Sequence, residues 1–212
     1  KDEKQIQNTN SETYGKVHTE FIESFNKIKS TTNPSIELFK TFIKKAAGKY
    51  STHTSTNSCD VLAIFFKNNW DSLKNRIQNQ DVTVSDNMND YLTSKGLRNE
   101  KSLCSKLCRH IDTQLFNQKS SFMVLDSSVI LVLPYYCAKY DVDYHLNENK
   151  LKSMKYSKFN ELCKKLCDEI NKINHEDISL YELDHIIWFT YKVDLDDKVK
   201  ENEIKRITKL LI

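Results

Sequence analysis

Hydrophobic residues recur along most of this chain at intervals of three and four, the spacing that gathers them on one side of an α-helix. Val17, Phe21, Phe25 and Ile28 predict a first amphipathic helix over residues 11–29. Asn33 and Pro34 read as a cap followed by a proline at the first helical position, opening a second helix through Phe39, Ile43 and Ala46 to Gly48. Residues 51–58 are uniformly polar and read as a loop. Leu62, Phe65, Phe66, Trp70, Leu73 and Ile77 then define the inner face of a third helix over 60–77. Val82, Thr83 and Val84 fit a short extended piece, after which Ser85 caps a helix through Met88, Tyr91 and Leu92 that Gly96 stops.

The second half follows the same rule. Asn99 opens a helix with the stripe Leu103, Cys104, Leu107, Cys108, Ile111 and Leu115. A polar turn and the apolar run Phe122 to Leu125 follow; Asp126 starts the next helix, which Pro134 is expected to kink or shorten. Phe159, Leu162, Cys163, Leu166, Cys167, Ile170 and Ile173 form the cleanest stripe in the chain. Ser179 and Glu182 match a capping box at the head of a helix over 183–191, and a final helix is expected over 196–211. The pattern predicts an all-α multi-helix bundle of eight to ten helices. It is either one unit or two lobes (about 60–125, and 1–59 packed with 126–212) with a cleft between them.

Composition narrows this further. Three glycines and two prolines in 212 residues are too few for the tight turns of a sandwich or barrel. The chain contains neither a G-x-G-x-x-G nor a G-x-x-x-x-G-K pattern, so dinucleotide and P-loop folds are not expected. The longest apolar run, residues 122–138, is broken by Asp126, Ser127, Ser128 and Pro134, too short and too polar to span a bilayer. No signal-peptide pattern opens the chain. The net charge of +3 permits a polyanionic partner through a local patch without requiring one.

Four of the six cysteines fall as i, i+4 pairs, Cys104 with Cys108 and Cys163 with Cys167. Neighbours on one helical turn are poorly placed for a disulfide, and free cysteine packs as a small hydrophobe. The two pairs would have to meet to hold zinc, and each is embedded in leucines. Buried thiols in a reducing cytoplasm are the expectation, with no metal and no cofactor.

Lys106 lies about 140° from the apolar stripe of its own helix, at 100° per residue, and points to solvent or into a cleft. Asp126 is a good N-cap by itself. Their order is what carries chemical interest: helix with lysine, polar turn, apolar run, aspartate, helix. This arrangement resembles the helix-hairpin-helix DNA glycosylase superfamily, in particular its 8-oxoguanine-glycosylase-like branch. There a G-x-K-[VT]-A-type helix carries a nucleophilic lysine, and an aspartate follows a V-P-[VI]-D-type run. The matching pieces are Cys104-Ser105-Lys106-Leu107-Cys108 and Met123-Val124-Leu125-Asp126. The resemblance is firmest over about residues 99–138 and extends more loosely to residues 183–188. The family's hairpin is glycine-rich before the lysine, whereas Ser102, Leu103, Cys104 and Ser105 stand here.

The resemblance implies a DNA glycosylase, with an AP-lyase step if the amine forms a Schiff base. Lys106 and Asp126 are then the catalytic pair. Asp184, Trp188 and Tyr191 (with Phe189 beside them) would line a base pocket; Lys95, Arg98, Lys101 and Arg109 would contact phosphates. The implied partner is double-stranded DNA with a flipped base, bound by a monomer. A lysine- and asparagine-rich chain fits an AT-rich microbial genome, where base excision serves repair or antiviral defence against phage with modified DNA. Two other readings stay open: a non-catalytic all-helical module binding nucleic acid or protein, and an unrelated bundle in which Lys106 and Asp126 never meet.

Overall fold

A computed structural model describes residues 11–116 and 121–191. Among them are nine helices and no strand: α1 Ser11–Lys29, α2 Ile36–Lys49, α3 Thr56–Gln78, α4 Thr83–Ser94, α5 Lys101–Phe116, α6 Ser127–Lys139, α7 Glu148–Ser153, α8 Tyr156–Asn174 and α9 Leu180–Phe189. The all-α expectation holds. The helix expected over 196–211 and the polar turn at 117–120 lie outside the described residues.

Local chemistry moves several boundaries. Ser35, not Asn33, caps α2: its hydroxyl accepts from the Leu38 amide at 3.3 Å, leaving Pro34 just outside the helix. The Ser55 hydroxyl accepts from the Ser58 amide, so α3 begins within the stretch expected to be loop. No extended piece forms at Val82–Val84. Asp81 accepts from both the amide and the hydroxyl of Thr83, and α4 starts there. Gly96, at φ +72°, ends α4 in the left-handed conformation. Pro134 does not end α6, which continues five residues beyond it. The capping box at Ser179 and Glu182 forms as the sequence predicts.

Contacts divide the chain into two compact units: Lys1–Asn75 with Met88–Leu103, and Arg76–Asn87 with Cys104–Ile212. The first unit is built on rings. Phe21 and Phe25 of α1 pack on Phe42 of α2 at 5.6 and 5.0 Å, and Phe39 packs on Phe66 and Trp70 of α3 at 5.8 and 5.1 Å.

The second unit buries the apolar faces of α5, α6, α8 and α9. Cys104, Cys108, Cys163 and Cys167 are buried free thiols in that core. Two members of the α8 stripe escape burial: Leu162 is half-exposed and Ile173 is exposed. The start of α8 is served from far upstream, where the Asp86 carboxylate accepts from the amides of Tyr156 and Ser157 at 2.6 and 2.9 Å. Those amides have no partner within the helix, and a carboxylate also suits the positive end of its dipole.

Among the described residues no helix is long and apolar enough to cross a membrane.

Candidate active site

The second unit positions Asp126 through the four residues before it. Phe122 to Leu125 is a buried, non-helical run whose backbone polar groups need partners. Side chains supply them. The Met123 amide donates to Asn160 Oδ1 at 2.8 Å, and the Tyr156 hydroxyl donates to the Met123 carbonyl at 2.7 Å. Asn160 Nδ2 donates to the Ser121 carbonyl at 2.9 Å, and the Leu125 amide donates to Ser105 Oγ at 3.2 Å. Ser105 is the chain neighbour of Lys106, so one bond ties the lysine's helix to the residue before the aspartate.

Asp126 then caps α6, one carboxylate oxygen accepting from the Ser128 and Val129 amides at 3.1 and 3.2 Å. Its other oxygen lies 3.2 Å from Lys106 Nζ. The two side chains meet across twenty positions of sequence.

A second ion pair sits beside the first. Arg109, one turn beyond Lys106 on α5, bonds Asp184 of α9. The guanidinium carbon of Arg109 also lies 4.6 Å from the centre of the Tyr181 ring, within cation–π range. Tyr181 in turn packs on His185 at 4.3 Å between ring centres. All four charged side chains are largely shielded: Lys106 is 11% exposed, Asp126 24%, Arg109 13% and Asp184 17%. Burial pushes the Asp184 carboxyl above the usual carboxylate range, against the pull of Arg109, and the charge of Asp126 adds to the rise. Two carboxylates therefore feel one another in a partly dehydrated setting.

Leu180, Leu183 and Ile187 turn α9's inner side into the core. Its other side presents Tyr181, Asp184, His185 and Trp188, residues three and four apart. Tyr181 and Trp188 are each 41% exposed there. Tyr191, just past α9, is half-buried, and the side chain of Phe189 lies outside the described residues.

The residues expected to touch phosphates are spread over both units. Arg109 is committed to Asp184 and Tyr181. In the first unit, Lys95 Nζ lies 5.5 Å from the Tyr91 ring centre, and Arg98 bonds Glu100 at 2.6 Å and the His53 carbonyl. Lys101, also in the first unit, is half-buried at the start of α5.

Sequence reading missed Ser105, Tyr156, Asn160, Tyr181 and His185. Asn160 left a signal, a lone amide on the same helical face as Tyr156, Cys163 and Cys167. Among the described residues no group of three or more His, Cys, Asp or Glu is arranged to hold a metal ion. Comparison with known protein families, with curated proteins and with solved structures finds no match.

Proposed function

We propose that this chain is a DNA glycosylase, with an associated lyase step, that acts as a monomer on a damaged or modified base flipped from double-stranded DNA. The observation that carries the reading is the 3.2 Å approach of the Lys106 amine to the Asp126 carboxylate on two different helices. An amine is nucleophilic only after losing its proton, and a carboxylate in contact is placed to receive it. Lys106 Nζ forms a bond to the anomeric carbon while the bond from that carbon to the base breaks. The base leaves with the electron pair and takes up a proton. Asp126 passes the proton it received from Lys106 on to the departing base, and the carboxylate so restored stabilises the positive charge that builds on the sugar. Ring opening leaves an imine between Lys106 and the sugar, and elimination of the 3′ phosphate cleaves the strand. Trp188 offers an exposed aromatic face to an extruded base. Excision from invading phage DNA and excision in repair call for the same chemistry.

A second reading is favoured by the direct ion pairing of Lys106 with Asp126 and of Arg109 with Asp184: the four charges are then a structural clamp on α5, α6 and α9. Borohydride separates the two. Reduction during incubation with a panel of oligonucleotides bearing modified bases should trap a covalent protein–DNA adduct, and Lys106→Gln should abolish it. Asp126→Asn should lower base release by about 10²-fold or more. An adduct that persists in Lys106→Gln, or no base release from any member of the panel, rejects the enzyme reading.

A further inference from the structure

Lys106 and Arg109 are neighbours on one face of α5, with Cβ atoms about 5–6 Å apart at this spacing. Each has a carboxylate: Asp126 from the head of α6 and Asp184 from α9. These two acids are close enough for the charge of Asp126 to act on Asp184. Either kind of carboxylate is chemically able to bond a lysine; Arg109 bonds Asp184 directly, and His185 beside it acts on Asp184 through its charge. Arg109 is fixed from two sides, by Asp184 and by the face of Tyr181, which itself rests on His185. An arginine fork held in this way has little rotamer freedom left to lose.

We infer that Arg109 is a positioning residue: held between Asp184 and Tyr181, it takes up the second carboxylate and so reserves Lys106 for Asp126. The consequence for catalysis rests on the glycosylase reading, because only there must Lys106 become neutral. A lysine bonded to two carboxylates holds its proton longer than one bonded to a single carboxylate beside a guanidinium. Asp126 on α6 pairs with the amine, Arg109 on α5 pairs with Asp184 on α9, and the charge of Asp184 is felt in turn by Cys163 on α8 and is itself offset by His185. The Cys163 thiol is pushed well up by burial and stays neutral. Among these groups Arg109 and Asp184 carry opposite charges, so their removal must act on Lys106 in opposite directions.

Competitive acylation of Lys106 with a small amine-reactive reagent, followed by peptide mass spectrometry from pH 6 to 11, reads the midpoint of its deprotonation without any substrate. Arg109→Gln should move that midpoint up by about one pH unit, and Asp184→Asn should move it down by a similar amount; a charge within about 4–6 Å acts on at least that scale. The double variant should return to within a few tenths of a unit of the parent, and Arg109→Lys should leave the midpoint in place. If Arg109→Gln fails to fold, the downward shift in Asp184→Asn decides alone. Midpoints that do not move, or that move the same way in both single variants, overturn the inference. Opposite shifts in a protein that releases no base uphold the positioning role and reject the glycosylase reading. Base release without those shifts does the reverse.

Discussion

In the first unit Phe21, Phe25, Phe39, Phe42, Phe66 and Trp70 meet ring to ring, and its buried polar bonds include those from the Glu100 amide to Asn89 Oδ1 and from the Ser24 hydroxyl to the Phe21 carbonyl. In the second unit the middle of the core is polar by design of the chain: Tyr156 and Asn160 reach from α8 to the backbone of Phe122 to Leu125, and Ser105 reaches it from α5. Ring contacts stabilise through area plus about 0.5–1.5 kcal/mol per pair, and they tolerate small slips. A buried amide or hydroxyl bonded to a particular carbonyl tolerates none, because a shift of an ångström leaves both groups unsatisfied. The core with directed bonds is the one that carries Lys106, Asp126, Arg109 and Asp184. Chemistry that depends on a 3.2 Å approach needs that kind of support.

The difference predicts two large effects of unlike character. Phe42→Ala removes a fully buried ring from the first unit and should cost about 3–5 kcal/mol in urea unfolding. It should leave the acylation midpoint of Lys106 where it was. Asn160→Leu keeps the volume of the second core but strands the Met123 amide and the Ser121 carbonyl, at about 3 kcal/mol. That variant should also disturb Lys106, because the run that delivers Asp126 loses its anchor. Equal disturbance of Lys106 by both variants would break the comparison.

A smaller effect sharpens it. Asp86→Ala leaves the first amides of α8 without their acceptor and should cost about 1–2 kcal/mol, seen as a lower melting temperature. Asp86→Asn, which keeps one acceptor oxygen, should recover part of that. No recovery would mean that the charge, acting on the helix dipole, carries the whole effect.

Helical periodicity made the bundle readable, and it also brought out Asp126 as a cap, since both follow from spacings within a few residues. Asp86 was not readable in this way. Its partners are seventy positions downstream, and it stands in the helix that the sequence led us to begin at Ser85. Arg109 is expected to contact phosphates, because nothing local shows that Asp184, seventy-five positions away, turns towards it. The resemblance implies that Lys106 and Asp126 act together, yet the groups that hold their segments, Ser105 and Asn160, are polar residues inside apolar stripes. Local rules score such residues as imperfections. Their value appears only once Ser105, Tyr156 and Asn160 are seen to bond the backbone of Met123 and Leu125.

The smallest effect concerns two carboxylates of the second unit that titrate in opposite senses. For Asp143, burial works upward but is outweighed by the bond from Lys150, the His145 amide and the charge of Lys150, leaving it below the ordinary range. Its contribution to stability is in place above its unfolded value, about 3.9, and is lost as pH falls through the lower folded value. For Asp184, burial prevails over Arg109 and the folded value is raised. Its contribution is present in full below the unfolded value and is lost as pH rises through the folded one. Urea midpoints measured from pH 3 to 7.5 should therefore show the gap between parent and Asp143→Asn widening in the parent's favour as pH rises. The gap between parent and Asp184→Asn should shift in the variant's favour over the same rise. Two gaps that run in the same direction would mean that Arg109 satisfies Asp184 as fully as Lys150 satisfies Asp143. Asp184 and Arg109 would then form an ordinary ion pair rather than one held under strain by its surroundings.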